Sequence, residues 1–138
     1  MNNKNYPNWL VPLEIAKELK EIGFDMVCQN WQAYESFVSV NFTYLDRYRK
    51  NNYDVTTIPT WEQVFEWFRE KGFDSYIGLE RLPYPDEGVY YYFEISKPTL
   101  YSINQLDCQG DFDDYNEARE VLVKTLIQTY KREQYKIK

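Results

Sequence analysis

The chain has 138 residues, 19% of them aromatic, with a formal charge of −6 and no histidine. Its length suffices to bury a core without metal or disulfide staples, and its aromatic content excludes a disordered chain. The acidity opposes general affinity for nucleic acid or anionic membrane, both of which draw on Lys and Arg.

Residues 1–10 are polar and Asn-rich and read as a loosely held arm, with Tyr6, Trp9 and Leu10 as anchors. Pro12 stands where a first-turn proline is tolerated. Leu13, Ala16, Leu19 and Ile22 form an apolar stripe, so a helix is expected from about Val11 to Ile22, ended by Gly23. Met26 to Ala33 reads as a poorly alternating strand. Phe37 to Tyr44 alternates clearly, with Val38, Val40, Phe42 and Tyr44 on one face. Leu45 to Pro59 is the longest irregular stretch and holds the basic cluster Arg47, Arg49 and Lys50.

Thr60 to Asp74, TWEQVFEWFREKGFD, carries every signal of one amphipathic helix. Thr60 and Gln63 form a capping box. Trp61, Val64, Phe65 and Phe68 make the apolar face. Gly72 suits the left-handed position past the end, with Phe73 folding back behind it. The same Gly-Phe-Asp stop follows the first helix at an offset of 49 residues, and the apolar positions of the two helices align. Two helix-strand-strand units are therefore expected, whether by duplication or because any two amphipathic helices ending in Gly-Phe align this well.

Ser75 to Leu82 and Val89 to Ile95 flank the turn PYPDEG and read as a hairpin, with Gly88 able to take positive φ. Val89, Tyr91, Phe93 and Ile95 are expected on one face with Ile77 and Leu79. Tyr76, Glu80, Tyr90, Tyr92 and Glu94 fall on the other. Lys97 to Gly110 reads as a connection with one short extended piece around Leu100 to Ile103. Asp114 and Glu117 form a second capping box before a helix from Tyr115 to about Arg132, its stripe built from Ala118, Val121, Leu122, Thr125 and Leu126, widened by Ile127 and Tyr130. Residues 133–138 read as a frayed tail. Six acids from Asp107 to Glu120 and five bases from Lys124 to Lys138 give local balances of −5 and +4, a polarity that the helix dipole favours.

Three blocks, VPLEIAKELKEIGFD, PTWEQVFEWFREKGFD and DDYNEAREVLVKTLI, resemble in order and spacing a group of short uncharacterised proteins of Bacteroides-type gut bacteria and of their phages and prophages. PTWEQVFEWFREK carries the most specific part of the likeness, and Phe37 to Asn52 departs from it. The resemblance implies a mobile-element context and supplies no catalytic residues.

The absence of histidine removes Ser-His and Cys-His nucleophile pairs, histidine-ligated zinc and histidine general bases together. Cys28 and Cys108 are too far apart for a metal-binding pair and too few for a disulfide scaffold. The N-terminal stretch lacks a signal-peptide core and no apolar run reaches membrane-spanning length, so a reduced cytoplasmic protein with free thiols is expected. The five glycines form no phosphate-cradling loop. The acidic run DCQGDFDD offers hard oxygen ligands in Asp107, Asp111, Asp113 and Asp114 but lacks EF-hand order, and reads as a solvated loop feeding the Asp114 cap. Asp86 and Glu87 suit a turn better than an acid/base dyad.

The expected architecture is therefore α+β over a single domain, 1–138. It has a mainly antiparallel four-stranded sheet in the order α-β-β-α-β-β-α, with the helices largely on one face. The expected function is non-enzymatic and cofactor-free: binding of a partner protein, by a monomer or homodimer, through the acidic tyrosine-rich face of Tyr76, Glu80, Tyr90, Tyr92 and Glu94. Stacked tyrosines also bind single-stranded bases. Nine acids against three bases from Asn51 to Ile95 oppose that use. Two other readings belong to different classes. An acidic mimic of nucleic acid needs a continuous acidic track, and a small-molecule binder or cryptic enzyme needs an enclosed pocket with convergent polar groups.

Overall fold

The computed structural model describes residues 7–26, 32–34, 37–39, 56–81 and 88–137. The fold is α+β. Among the described residues, three helices, α1 (Leu13–Glu21), α2 (Trp61–Glu70) and α3 (Tyr115–Ile137), alternate with six strands: β1 (Gln32–Tyr34), β2 (Phe37–Ser39), β3 (Thr56–Thr57), β4 (Asp74–Arg81), β5 (Val89–Pro98) and β6 (Ile103–Phe112). The chain divides into two compact units, Met1–Val64 and Phe65–Lys138, with the boundary inside α2.

The helix ends follow from local chemistry. The Thr60 N–H donates to Gln63 Oε1 at 2.8 Å while the Gln63 N–H donates to Thr60 Oγ1 at 3.2 Å, so the capping box satisfies two otherwise orphaned donors. Both Gly-Phe stops close as Schellman motifs. The Gly23 N–H reaches the Lys20 carbonyl at 3.1 Å and the Phe24 N–H the Leu19 carbonyl at 3.0 Å. Gly72 and Phe73 repeat this on Arg69 and Phe68, both at 2.9 Å. The two glycines hold φ of 95° and 96°, a conformation that a β-carbon penalises.

In the first unit α1 buries Leu13, Ile15, Ala16 and Leu19, and the chain before it is well anchored. Leu10 and Val11 are buried, Leu10 bridges Thr60, and the Val11 N–H donates to the Pro59 carbonyl at 3.1 Å. The Trp61 indole N–H donates to the Asn8 carbonyl at 3.0 Å. Trp9, expected as an anchor, is instead exposed. Leu10, also expected as an anchor, is buried and bridges Thr60. The sheet of this unit is short and antiparallel, in the order β2-β1-β3. β3 lies inside the stretch expected to be irregular. Arg47, Arg49 and Lys50 lie outside the described residues, as do Tyr6 and Cys28.

In the second unit β4, β5 and β6 form an antiparallel meander with β5 central, and α3 lies on one face of it. Phe93 and Ile95 are fully buried beneath the helix, with Phe93 stacked on Phe112 at 5.7 Å and Tyr91 edge-on to Tyr115. Ala118, Leu122, Val123, Leu126 and Ile127 supply the buried side of α3. Val121 and Thr125, expected in that stripe, are half-buried at its margin. Thr125 is accommodated because its hydroxyl donates to the Val121 carbonyl at 2.7 Å and faces Gln109 Nε2 at 3.5 Å. Toward the helix end Tyr130 gathers Trp67, Phe68 and Phe73 in edge-on and tilted contacts with centroids 5.3 to 6.2 Å away. α3 continues to Ile137, beyond the end expected at Arg132, and Lys136 pairs with Glu133 at 3.6 Å on its last turns.

The described strands divide between two sheets where one four-stranded sheet was expected, and the order of the described elements is α-β-β-β-α-β-β-β-α. One of the two strands that the expected order lacks is β6, which the sequence disguises. Two register shifts against β5 each place an extra β6 residue in the ladder, one around Gly110 and Asp111 and one at Leu106. Each extra residue flips the side chains beyond it to the other face, which erases the alternation that marks a strand. The two units also differ in topology: the first strand is central in one and the second strand in the other. Among the described residues the similarity of α1 and α2 lies in the helices and their C-terminal stops, not in their N-caps or in the order of the strands.

Candidate functional site

The alternation of β5 sorts its residues by face. Tyr91, Phe93 and Ile95 point toward α3, and Tyr90, Tyr92 and Glu94 to the opposite, outer face. In the register of β4 on β5, Tyr76 stands opposite Glu94, Gly78 opposite Tyr92 and Glu80 opposite Tyr90. All five residues expected to form a binding surface therefore share one face of one sheet. β6 adds Cys108, opposite Glu94. Tyr76 is 48% exposed and Glu80 is exposed, while Tyr90, Tyr92 and Glu94 are half-buried.

These side chains hold one another. The Tyr76 hydroxyl donates to Glu94 Oε2 at 2.5 Å, and the Tyr76 and Tyr92 rings meet edge to face at 5.8 Å and 83°. Accepting carboxylate and neighbouring phenol both favour the protonated hydroxyl, so Tyr76 ionises well above the ordinary tyrosine range. The Glu94 hydrogen bond is the larger cause and the Tyr92 hydrogen bond the next.

Gly78 was not singled out from the sequence, although a glycine in a strand interior signals close approach of another group. Its neighbour is the Tyr92 ring. A β-carbon at position 78 would stand 2.8 Å from Cε1, Cζ and the hydroxyl oxygen of Tyr92. The ring thus lies flat across the strand, its Cβ against the site of a second glycine, Gly110, at 3.5 Å. Nothing in the local sequence of β6 announced Gly110 or Cys108, because the bulges hide the strand that carries them.

On the helix side one expectation changes. Ile77 is half-buried, but Leu79, expected to turn inward, is 62% exposed, and Val89 nearby is exposed too. Both stand at the end of the hairpin, paired with Tyr91 and Arg81, beyond the cover of α3. Residues 82–87, with Asp86 and Glu87, lie outside the described residues; Gly88 beyond them does take positive φ, at 78°.

The acidic run 107–114 is not a loop but the second half of β6 and the entry to α3. Asp107 is half-buried and accepts the Cys108 N–H at 2.8 Å, Asp111 occupies the bulge at φ 67°, and the Asp114 carbonyl accepts the Ala118 N–H at 3.1 Å as the helix starts. Among the described residues no three His, Cys, Asp or Glu side chains are grouped to hold a metal ion. None of their helices is long and apolar enough to cross a membrane.

The outer-face positions of β4 and β5 from Tyr76 to Glu94 thus carry three phenols and two carboxylates and no base. That chemistry suits cationic or amide-rich partners: ring faces attract guanidinium groups and carboxylates accept their N–H donors. No family model matches the chain, and no curated protein or solved structure is significantly similar to it.

Proposed function

We propose that the protein is a small non-enzymatic interaction module that binds a partner protein through the outer face of β4 and β5, with Tyr76, Tyr90 and Tyr92 as aromatic anchors and Glu80 and Glu94 as acceptors. The observation that carries this reading is the preorganisation of that face. Tyr92 is laid across Gly78, Tyr76 is braced by Glu94 and Tyr92, and neither ring belongs to the Phe93 core. Rigid amphipathic rings give contact area at low entropic cost, which is why tyrosine is enriched where proteins recognise one another. A partner presenting arginine fits best, since a planar guanidinium can stack on a phenol while donating to an adjacent carboxylate. On this face Glu80 and Glu94 are separated by the Gly78 and Tyr92 row, an interrupted acidic pattern that favours a protein surface over mimicry of a phosphate backbone.

The resemblance of the three helical blocks to phage and prophage proteins of Bacteroides-type bacteria supports an origin in a mobile element, and the two widely spaced cysteines are in keeping with action in a reducing cytoplasm. Affinity capture from host lysate, read by mass spectrometry, tests the reading. A protein retained by the native chain and lost when Tyr90 and Tyr92 are both replaced by Thr, with far-ultraviolet dichroism unchanged, supports it. Equal capture by both chains would exclude this face as the binding surface.

A further inference from the structure

The two edges of the β4-β5-β6 sheet are built differently. β6 is interrupted twice by bulges, one with Asp111 at positive φ, and an edge so kinked resists pairing with another strand. β4 is the opposite: eight residues in unbroken register with β5, without bulge or proline. Natural sheets protect an open edge unless it is used, and among the described residues no strand pairs with the outer side of β4.

The geometry points to a second copy of this chain, paired antiparallel through β4 about a two-fold axis at Gly78. A two-fold axis normal to the sheet keeps each residue on its own face. The sum of paired residue numbers must then be even, which leaves few registers. In the register centred on Gly78, the pairs are Ile77 with Leu79, Tyr76 with Glu80 and Ser75 with Arg81 of the other copy. On the helix side Leu79, 62% exposed in one chain, gains an apolar partner in Ile77 of its mate. On the outer face the Tyr76 ring stands opposite Glu80 of the other copy, a neutral aromatic beside a carboxylate, with no like-charge pair. The register centred on Ile77 instead sets Asp74 against Glu80, a like-charge pair directly opposite, which disfavours it. Gly78, with no side chain of its own, stands beside its copy at the axis.

The result is one six-stranded sheet. Because the copies join edge to edge, both tyrosine faces stay open and lie side by side, so the inference stands whether or not those faces bind a partner.

Sedimentation equilibrium of the full chain at micromolar concentration is expected to give twice the chain mass. Leu79→Lys puts a charge in place of the apolar contact at an exposed position, and is expected to weaken association at least about tenfold. Asn104→Lys, on the β6 edge, is expected to leave the dimer intact. Should Leu79→Lys not fold, cross-linking decides. Leu79→Cys, in a chain with Cys28 and Cys108 replaced by Ser, stands about 8 Å from its copy by strand geometry and is expected to be joined by a short bis-maleimide. A native chain that stays monomeric, a dimer undiminished by Leu79→Lys, a dimer lost on Asn104→Lys, or a dimer that fails to cross-link at position 79 would each overturn the pairing.

Discussion

Tyr92 and Phe93 are neighbours in β5, yet they live in different environments. Phe93 is fully buried, stacked on Phe112 beneath α3. Tyr92 lies across a glycine on the outer face, half-buried and edge-on to Tyr76. The difference comes from the two-residue period of a strand and from which side α3 covers. It separates two jobs that aromatic residues do: filling a core, where shape and volume decide stability, and furnishing a surface, where a polar tip must stay available. A composition with 19% aromatic residues does not distinguish the two, and only the fold assigns each ring to one of them.

Breaking the core side should have the largest effect. Phe93→Ala removes a fully buried ring and is expected to cost about 3–5 kcal/mol in urea unfolding, from lost transfer free energy and the cavity left behind. Leu126→Ala, in the facing side of α3, falls in a similar range of about 2–5 kcal/mol. Gly78→Ala acts on the outer side and should be far milder. The new methyl collides with the far end of the Tyr92 ring, which can swing away. The expected cost is about the worth of one aromatic pair, roughly 0.5–1.5 kcal/mol, with loss of the Tyr76 ring-current shifts in the proton spectrum as the check.

The smallest effect sharpens the comparison by pH. The Tyr76 hydroxyl ionises above its ordinary value of 10.0 because the protonated form is hydrogen-bonded to Glu94. That contribution is complete below the unfolded value and is lost as pH climbs past it toward the folded one. Tyr76→Phe should therefore remove this small contribution at neutral pH, the smallest loss of the series, and flatten the fall in stability above the unfolded value. In an ultraviolet titration it should remove one phenol that ionises above the ordinary tyrosine range, and Glu94→Gln should bring that phenol to lower pH.

The three helices and the Gly-Phe stops of α1 and α2 were readable in the sequence because their signals are local, whereas the end of α3, which has no such stop, was placed too early. A capping box, an apolar stripe and a Gly-Phe stop each lie within a few residues, and α2 uses all three. The β4-β5 hairpin and the common face of Tyr76, Glu80, Tyr90, Tyr92 and Glu94 followed from strict alternation. β6 was not readable, because two bulges and an edge position remove both the period and the need for apolar residues. Leu79 was misassigned for a different reason. Parity places it on the helix side, but parity does not say how far along the hairpin the helix extends. The braced arrangement of the outer face was half-announced by Gly78, a glycine in mid-strand whose neighbour only the pairing register identifies.

The division of β5 between core and recognition surface is tested most directly by equilibrium urea unfolding of Tyr92→Thr beside Phe93→Ala, at neutral pH and with the native chain as reference. Thr preserves the strand preference of position 92, so the comparison isolates the ring. The expected result is a loss of about 1 kcal/mol for Tyr92→Thr against about 3–5 kcal/mol for Phe93→Ala. Equal losses would contradict the account, since they would make Tyr92 as much a part of the core as its neighbour.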